Sequence, residues 1–333
     1  MNREFELIDR LCKKLPAPSK KVFLGIGDDA AVLESISGKV LLTVDALVEG
    51  IHFDFSFCEP KEVGKKALAV NLSDIVAMGG KPLAALISIG VSERISEDVL
   101  EEIYEGVAEA ARFHSIDVVG GNVTLSPERL MLNVTLLGES PKTPLTRRGA
   151  REGDIVFISG PVGEAAAGLY LLKKEGRKVL SRFPRLTSHY LTPQARVDLV
   201  ELLTEENRVH SLIDISDGLS SELWHLAKAS HVGFLIEEEK IPLSEELKQA
   251  SAETKQSLRN WQLSGGEDYE LVGTCSPSNW LVLKGEAQRR GLSLFQIGTV
   301  VSFSRGVRLK DSEGVEMPIS PSGWNHLSST ERD

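Results

Sequence analysis

The chain has 333 residues, 41% hydrophobic and 26% charged, with a formal net charge of −10, an ordinary globular composition with enough length for one large or two medium domains. The acidic balance argues against a nucleic-acid partner, whose footprint would be basic, and an anionic substrate would need recruited cations. Cys12, Cys58 and Cys275 lie far apart with no CxxC and suit a reducing cytoplasm, the charged start MNREFELIDR lacks a signal-peptide core, and the best apolar run, LAALISIGV at 83–91, is too short to span a bilayer.

Residues 2–15 read as an amphipathic helix with Phe5, Ile8, Cys12 and Leu15 on one face. Strands are expected at 22–24 and 40–44, and a helix over 61–78 that stops at Gly79-Gly80 before Lys81-Pro82. LAALISIGV reads as a buried strand. Ser96 is placed to cap a helix over 97–114, with Leu100, Ile103, Val107 and Ala111 inward. IDVVG and LMLNVTLLG read as strands. The polar stretch ESPKTPLTRRGAREGD marks a domain boundary, giving domains 1–138 and 139–333. A second α/β run follows: strand DIVFISG, helix GPVGEAAAGLYLLKKEG, a helix opened by Thr192-Pro193, and strand SLIDIS. Then come helix GLSSELWHLAKAS, packed by Leu219, Leu223 and Leu226, and strands DYELVGT and LFQIGTVV. The class is α/β with two domains; no tandem repeat or low-complexity segment interrupts it.

GIGDDAA, residues 25–31, raises the question of chemistry. Gly25-x-Gly27-x-x-Ala30 fits a loose dinucleotide fingerprint, with Asp45 as the distant acid. That fold needs a helix between its first two strands, within a unit of about thirty residues, and here Ser35, Ser37 and Gly38 interrupt the segment. Asp28 and Asp29 would also repel a pyrophosphate lying on bare amides. Lys81 of GGK is followed by Pro82, so there is no P-loop. A metal reading fits better. Asp45 ends LLTVD, Asp74 lies in NLSD, Asp214 and Asp217 in IDISDG, and Glu267 and Asp268 in GGED. Carboxylates without His or Cys partners suit Mg²⁺, which keeps waters and bridges to phosphates. The bland alternative for any one acid is a turn or cap, with Asp217-Gly218 and Asp74 the natural cap positions.

Eight motifs, in order, carry a resemblance: GIGDDAAVL, TVDALVEGIHF, KALAVNLSDIVAMGGKP, VVGGNVTLSP, LTRRGAREGD, IDISDGL, SGGEDYEL and GWNHL. The chain resembles the thiamine-monophosphate kinases of the PurM-like superfamily. The resemblance implies a two-domain PurM-like fold of mixed sheets flanked by helices, dimeric through the amino-terminal sheets. It implies direct in-line transfer of the γ-phosphoryl group of ATP to thiamine monophosphate, supported by several Mg²⁺ ions and without a phosphoenzyme.

Residue roles follow by motif. Asp29, Asp45 and Asp74 match amino-terminal metal ligands with Asp28 and Thr43 beside them; Asp214 and Asp217 match ligands of the second domain. Asp45, Asp74 and Asp214 are the central acids for transfer. Gly121 and Asn122 match the nucleotide loop, Arg147 a phosphate contact, Ser216 an ATP contact, and Tyr104 lies near the nucleotide. His52, Glu267 and Trp324 match positions around the thiamine substrate; a cationic thiazolium suits an aromatic face and a carboxylate. Alone, His52 reads as a half-buried histidine, Trp324 as a core plug, Arg147 and Arg148 as a solvated face, and Lys65 and Lys66 as surface charges. Asn122 also matches a metal-ligand position. Two departures bear on metal count: Asn122 stands where Asp is common, keeping a carbonyl oxygen for the ion but losing the charge, and Val44 stands where Thr is usual. The rivals are another superfamily member with a different acceptor and a non-catalytic binding protein. Against a selenophosphate enzyme, Cys12 sits in a helix, not a glycine-rich loop.

Overall fold

The computed structural model describes residues 3–27, 30–36, 38–140 and 142–324, with the side chains of 3–5 left aside. The chain divides into two compact units, Met1–Val76 with Gly80–Pro144, and Ala77–Gly79 with Leu145–Asp333.

The first unit runs α1 (Arg3–Lys14), β1 (Val22–Leu24), β2 (Val32–Leu33), β3 (Lys39–Val48), α2 (Pro60–Ala77), β4 (Lys81–Val91), α3 (Glu97–His114), β5 (Asp117–Leu125) and β6 (Met131–Ser140). Its main sheet has the order β3-β6-β4-β5, with β4 and β5 parallel and the other pairs antiparallel. The β4–β5 crossover is α3. Ser96 caps it by accepting from the Val99 amide, and Leu100, Ile103, Val107 and Ala111 are all buried. Helices α2 and α3 meet at two glycines. A Cβ on Gly64 would lie 2.0 Å from the Ile103 carbonyl oxygen, and one on Gly106 2.0 Å from that of Lys61. Only a residue without a side chain permits this approach.

Two expectations change here. On α1 the deeply buried residues are Leu7 and Leu11, while Ile8 and Cys12 are half-buried; the core takes the branched carbons one position earlier on the helix. Phe5 lies outside the described side chains. Strand β4 is not buried on both faces, because Leu86 and Ser88 are exposed. Its second face is open, as in an antiparallel sheet covered on one side.

The second unit runs β7 (Ile155–Ile158), α4 (Glu164–Glu175), α5 (Pro184–Leu191), α6 (Val200–Thr204), β8 (Val209–Asp214), α7 (Leu219–Ser230) and β9 (Val232–Glu237). It continues with α8 (Glu245–Thr254), α9 (Leu258–Ser264), β10 (Leu271–Cys275), α10 (Pro277–Arg289), β11 (Phe295–Ser302), β12 (Val307–Lys310) and β13 (Glu316–Pro318). Seven strands form one mixed sheet, β13-β12-β9-β11-β7-β10-β8. Leu219, Leu223 and Leu226 of α7 are fully buried in the core with Ile158, Phe234 and Ile297. Thr192 does not open a helix. It closes α5, its amide donating to the Ser188 carbonyl at 2.9 Å; Pro193 then stops the helix, as proline does beyond a C-cap.

Candidate active site

In the first unit the pleat of β3 sorts its residues. Val40, Leu42 and Val44 are exposed on one face. Thr43 and Asp45 alternate onto the other face, which meets α2. The Thr43 hydroxyl donates to Asp74 Oδ2. The Asp45 amide donates to Asn71 Oδ1 at 3.0 Å, and Asn71 Nδ2 donates to the Ala67 carbonyl at 3.1 Å. Asn71 and Asp74 are one turn apart on α2, so β3 and α2 bring Thr43, Asp45 and Asp74 to one locus. Asp74 lies inside the last turn of α2 and does not cap it. Asp28 and Asp29 lie outside the described residues.

The turn after β3 carries His52, which is half-buried. Its Nδ1 accepts from the Val48 amide at 3.0 Å, so a neutral ring carries its proton on Nε2. Lys66, read above as a surface charge, is buried at 2% exposure, and its ammonium donates to the His52 carbonyl at 3.1 Å. Lys65 does lie at the surface, pairing with Glu109 at 2.7 Å.

Tyr104, Gly121 and Asn122 line one small cavity with Ile8, Cys12 and Ile26, about 90 Å³ in volume. Burial pushes the Tyr104 phenol above its ordinary pKa. Asn122 does not join the Asp45–Asp74 locus within one chain. It sits on β5, the edge opposite β3, in the row Ala46, Asn133, Ser88, Asn122, one position off the row that holds Asp45. It therefore faces the other side of the sheet, three strand spacings away, about 14 Å.

In the second unit Asp214 ends β8 and is buried. The loop after it is gripped by the GGED turn. The Glu267 amide donates to the Ser216 carbonyl at 2.7 Å, Tyr269 to Ile215 at 2.9 Å, and Ile215 to Glu270 at 2.7 Å. Glu267 and Tyr269 both have left-handed backbones, φ 67° and 52°, a strain that persists where surrounding bonds over-determine the chain. Asp268 between them is the anchor: buried, it accepts from the amides of Gly163 at 2.5 Å and Ala165 at 3.0 Å at the start of α4. Burial pushes its pKa up to about 8 against those two amides. Trp324 is 40% exposed, so it does not plug the core, and its amide donates to the Asp217 carbonyl at 3.0 Å. Ser216, Asp217, Glu267 and Trp324 thus gather around one loop. Gly218, not Asp217, is the N-cap of α7, with no side-chain cap.

Glu222 belongs to the same place, although the motifs did not single it out. It is buried on α7, accepts from the Asp217 amide at 3.2 Å, and is pushed up to about 8 by burial and then by Asp214. Its signal was an acid at the inward spacing of Leu219, Leu223 and Leu226. Arg147 is exposed just before β7; its charge opposes the rise at Glu222, and it adds to the burial that lowers the pKa of His225.

Among the described residues no three His, Cys, Asp or Glu side chains stand close enough to form a metal cage. Mg²⁺ does not need one, since it is held by one or two carboxylates with waters and phosphate oxygens. The all-oxygen set of Thr43, Asp45 and Asp74 fits that habit.

The family model for the AIR synthase related protein N-terminal domain matches residues 27–140, and the model for the C-terminal domain matches 151–309. The thiamine-monophosphate kinase of Bacillus subtilis is 36% identical over 97% of this chain and 99% of its own length. That of Aquifex aeolicus is 39% identical over 97% of this chain and 98% of its own. The solved structure of AaThiL complexed with AMPPCP and TMP superposes with a TM-score of 0.79 at 39% identity, covering 97% of both chains. With both AIR synthase related domains and this near-complete likeness, the chain belongs to the thiamine-monophosphate kinase family.

Proposed function

We propose that this protein transfers the γ-phosphoryl group of ATP to thiamine monophosphate, giving ADP and thiamine diphosphate. The observation that carries this is the full-length likeness to kinases of that name, among them one solved with AMPPCP and TMP. A phosphate oxygen of the acceptor attacks the γ-phosphorus in line as the bond to the β-phosphate bridging oxygen breaks. That oxygen is already largely deprotonated at neutral pH, so positioning and charge neutralisation carry the catalysis rather than a strong base. A site rich in acids and poor in nucleophile–base pairs suits this.

Mg²⁺ bound here would offset the phosphate charges. In the first unit Thr43, Asp45 and Asp74 are its proposed ligands, with Asp28 and Asp29 of GIGDDAAVL. Tyr104, Gly121 and Asn122 take the nucleotide, and His52 meets the acceptor. In the second unit Asp214 and Asp217 are proposed ligands, Ser216 and Arg147 contact ATP, and Glu267 and Trp324 face the thiamine moiety. The exposed face of β3 and Leu86 supports a homodimer built on the four-stranded sheet. Three free cysteines support a cytoplasmic setting.

The test is a product assay with ATP, Mg²⁺ and thiamine monophosphate, with free thiamine as a second acceptor and a no-metal control. Metal-dependent thiamine diphosphate from the monophosphate alone is expected. ATP consumed without thiamine diphosphate would assign a different acceptor, and tight binding without turnover a binding protein.

A further inference from the structure

Lys66 occupies a position where its helix neighbour behaves differently. Lys65 keeps its ammonium near water against Glu109. Lys66 is buried, and its Nζ reaches the His52 carbonyl at 3.1 Å. Burying an ammonium is costly unless hydrogen bonds replace its water, and an apolar side chain of equal length would avoid the cost. One of the hydrogen bonds that replaces that water goes to the turn carrying His52.

That turn is tied from several sides. The His52 amide donates to the Val48 carbonyl at 2.9 Å, and Gly50 to Phe53 at 2.7 Å. Arg129 Nη1 donates to the Glu49 carbonyl at 2.8 Å. The His52 ring accepts from the Val48 amide through Nδ1, which sets the tautomer with the proton on Nε2. Lys66 supplies the tie on the carbonyl side of the same residue. Ring and backbone are then both fixed before any ligand arrives, the arrangement that lowers the ordering cost of binding.

We propose that Lys66 is a positioning residue for the acceptor: its buried ammonium locks the His52 carbonyl, and through it the ring that presents an Nε2–H donor to the phosphate-bearing acceptor. This rests on reading His52 as an acceptor contact. Lys66 itself touches neither substrate.

The test is steady-state kinetics with thiamine monophosphate and ATP varied separately, on wild type, Lys66→Met, His52→Ala and the double variant, with melting curves alongside. Lys66→Met is expected to raise KM for thiamine monophosphate about tenfold with KM for ATP within about twofold. In the His52→Ala background it should add less than about twofold, because both changes act through one ring. An equal rise in both KM values, or a full effect that persists without the ring, overturns the proposal. If His52→Ala leaves the acceptor KM unchanged, the reading of His52 fails and the proposal with it, whereas a His52 effect without a Lys66 effect overturns the lysine's role alone. Should Lys66→Met fail to fold, Lys66→Gln, which keeps a donor on a shorter arm, is expected to show the same selective shift at smaller size. An unchanged acceptor KM in that variant overturns the proposal.

Discussion

The backbone N–H of Trp324 donates to the carbonyl oxygen of Asp217 at 3.0 Å. This bond closes the carboxy-terminal segment onto the loop that carries Ser216, so the indole is placed by backbone rather than by burial. A Cβ on Gly323 would lie 2.4 Å from the same carbonyl, so this approach requires glycine. Trp324→Ala should therefore cost binding and little stability. A cation–π contact is worth about 0.5–2 kcal/mol, so KM for thiamine monophosphate should rise about two- to thirtyfold while the melting temperature stays within about 2 °C. Acceptor-varied kinetics and a thermal melt check both halves.

The Thr43 hydroxyl and the Asp74 carboxylate form a single unit across β3 and α2. Asp74→Asn keeps the shape and removes the charge, and turnover should fall at least about a hundredfold. Thr43→Val removes the donor that orients that carboxylate and should cost about tenfold. The double variant should fall short of the product of the two, since both act on one carboxylate. Turnover near wild type for Asp74→Asn would end its assignment as a metal ligand.

Asp268 has a folded pKa of about 8 against an ordinary 3.8. Its pKa is raised on folding, so its contribution is fully present below the unfolded value and is lost as pH rises toward 8. Asp268→Asn removes that titration. Relative to wild type, the variant should gain stability between pH 4 and 8, even though it loses one of two amide bonds at the start of α4. Denaturant melts at closely spaced pH values read the difference in slope. Parallel curves would mean that the amides keep Asp268 ionised throughout.

The open face of β3 presents Val40, Leu42 and Val44 in a row, with Leu42 at 69% exposure. Apolar rows of this kind cover one another in assemblies. Leu42→Arg should convert the proposed dimer to a monomer in sedimentation, with the melting temperature of the chain changing by only a few degrees. Unchanged sedimentation at dimer mass would place the interface elsewhere.

Much of the secondary structure was legible because local signals agreed with packing. Helix α3 carries its cap, its acids and its inward stripe in consecutive residues, and nothing distant overrides them. Helices α8, α9 and α10 also begin at capping serines, Ser244, Ser257 and Ser276; α8 and α9 bury few residues and leave little periodicity to read, whereas α10 carries its stripe at Trp280, Leu283 and Ala287 behind the Ser276-Pro277 start. Thr192-Pro193 has the chemistry of a helix start and the role of a helix stop; the pair is compatible with both.

What the sequence determined by itself was the residue types of the chemistry: hard carboxylates beside glycines, in an order matching one family from end to end. Tertiary structure decided which of them meet. The pleat of β3 and one turn of α2 put Thr43, Asp45 and Asp74 at one locus and set Asn122 on the opposite face of the sheet. Backbone bonds between loops far apart in the chain brought Ser216, Asp217, Glu267 and Trp324 together. Burial separated Lys66 from Lys65 and drew Glu222 beneath Asp217. Adjacent lysines, or one glutamate on a helix, look alike along a chain; they differ only in how much water the folded protein leaves them.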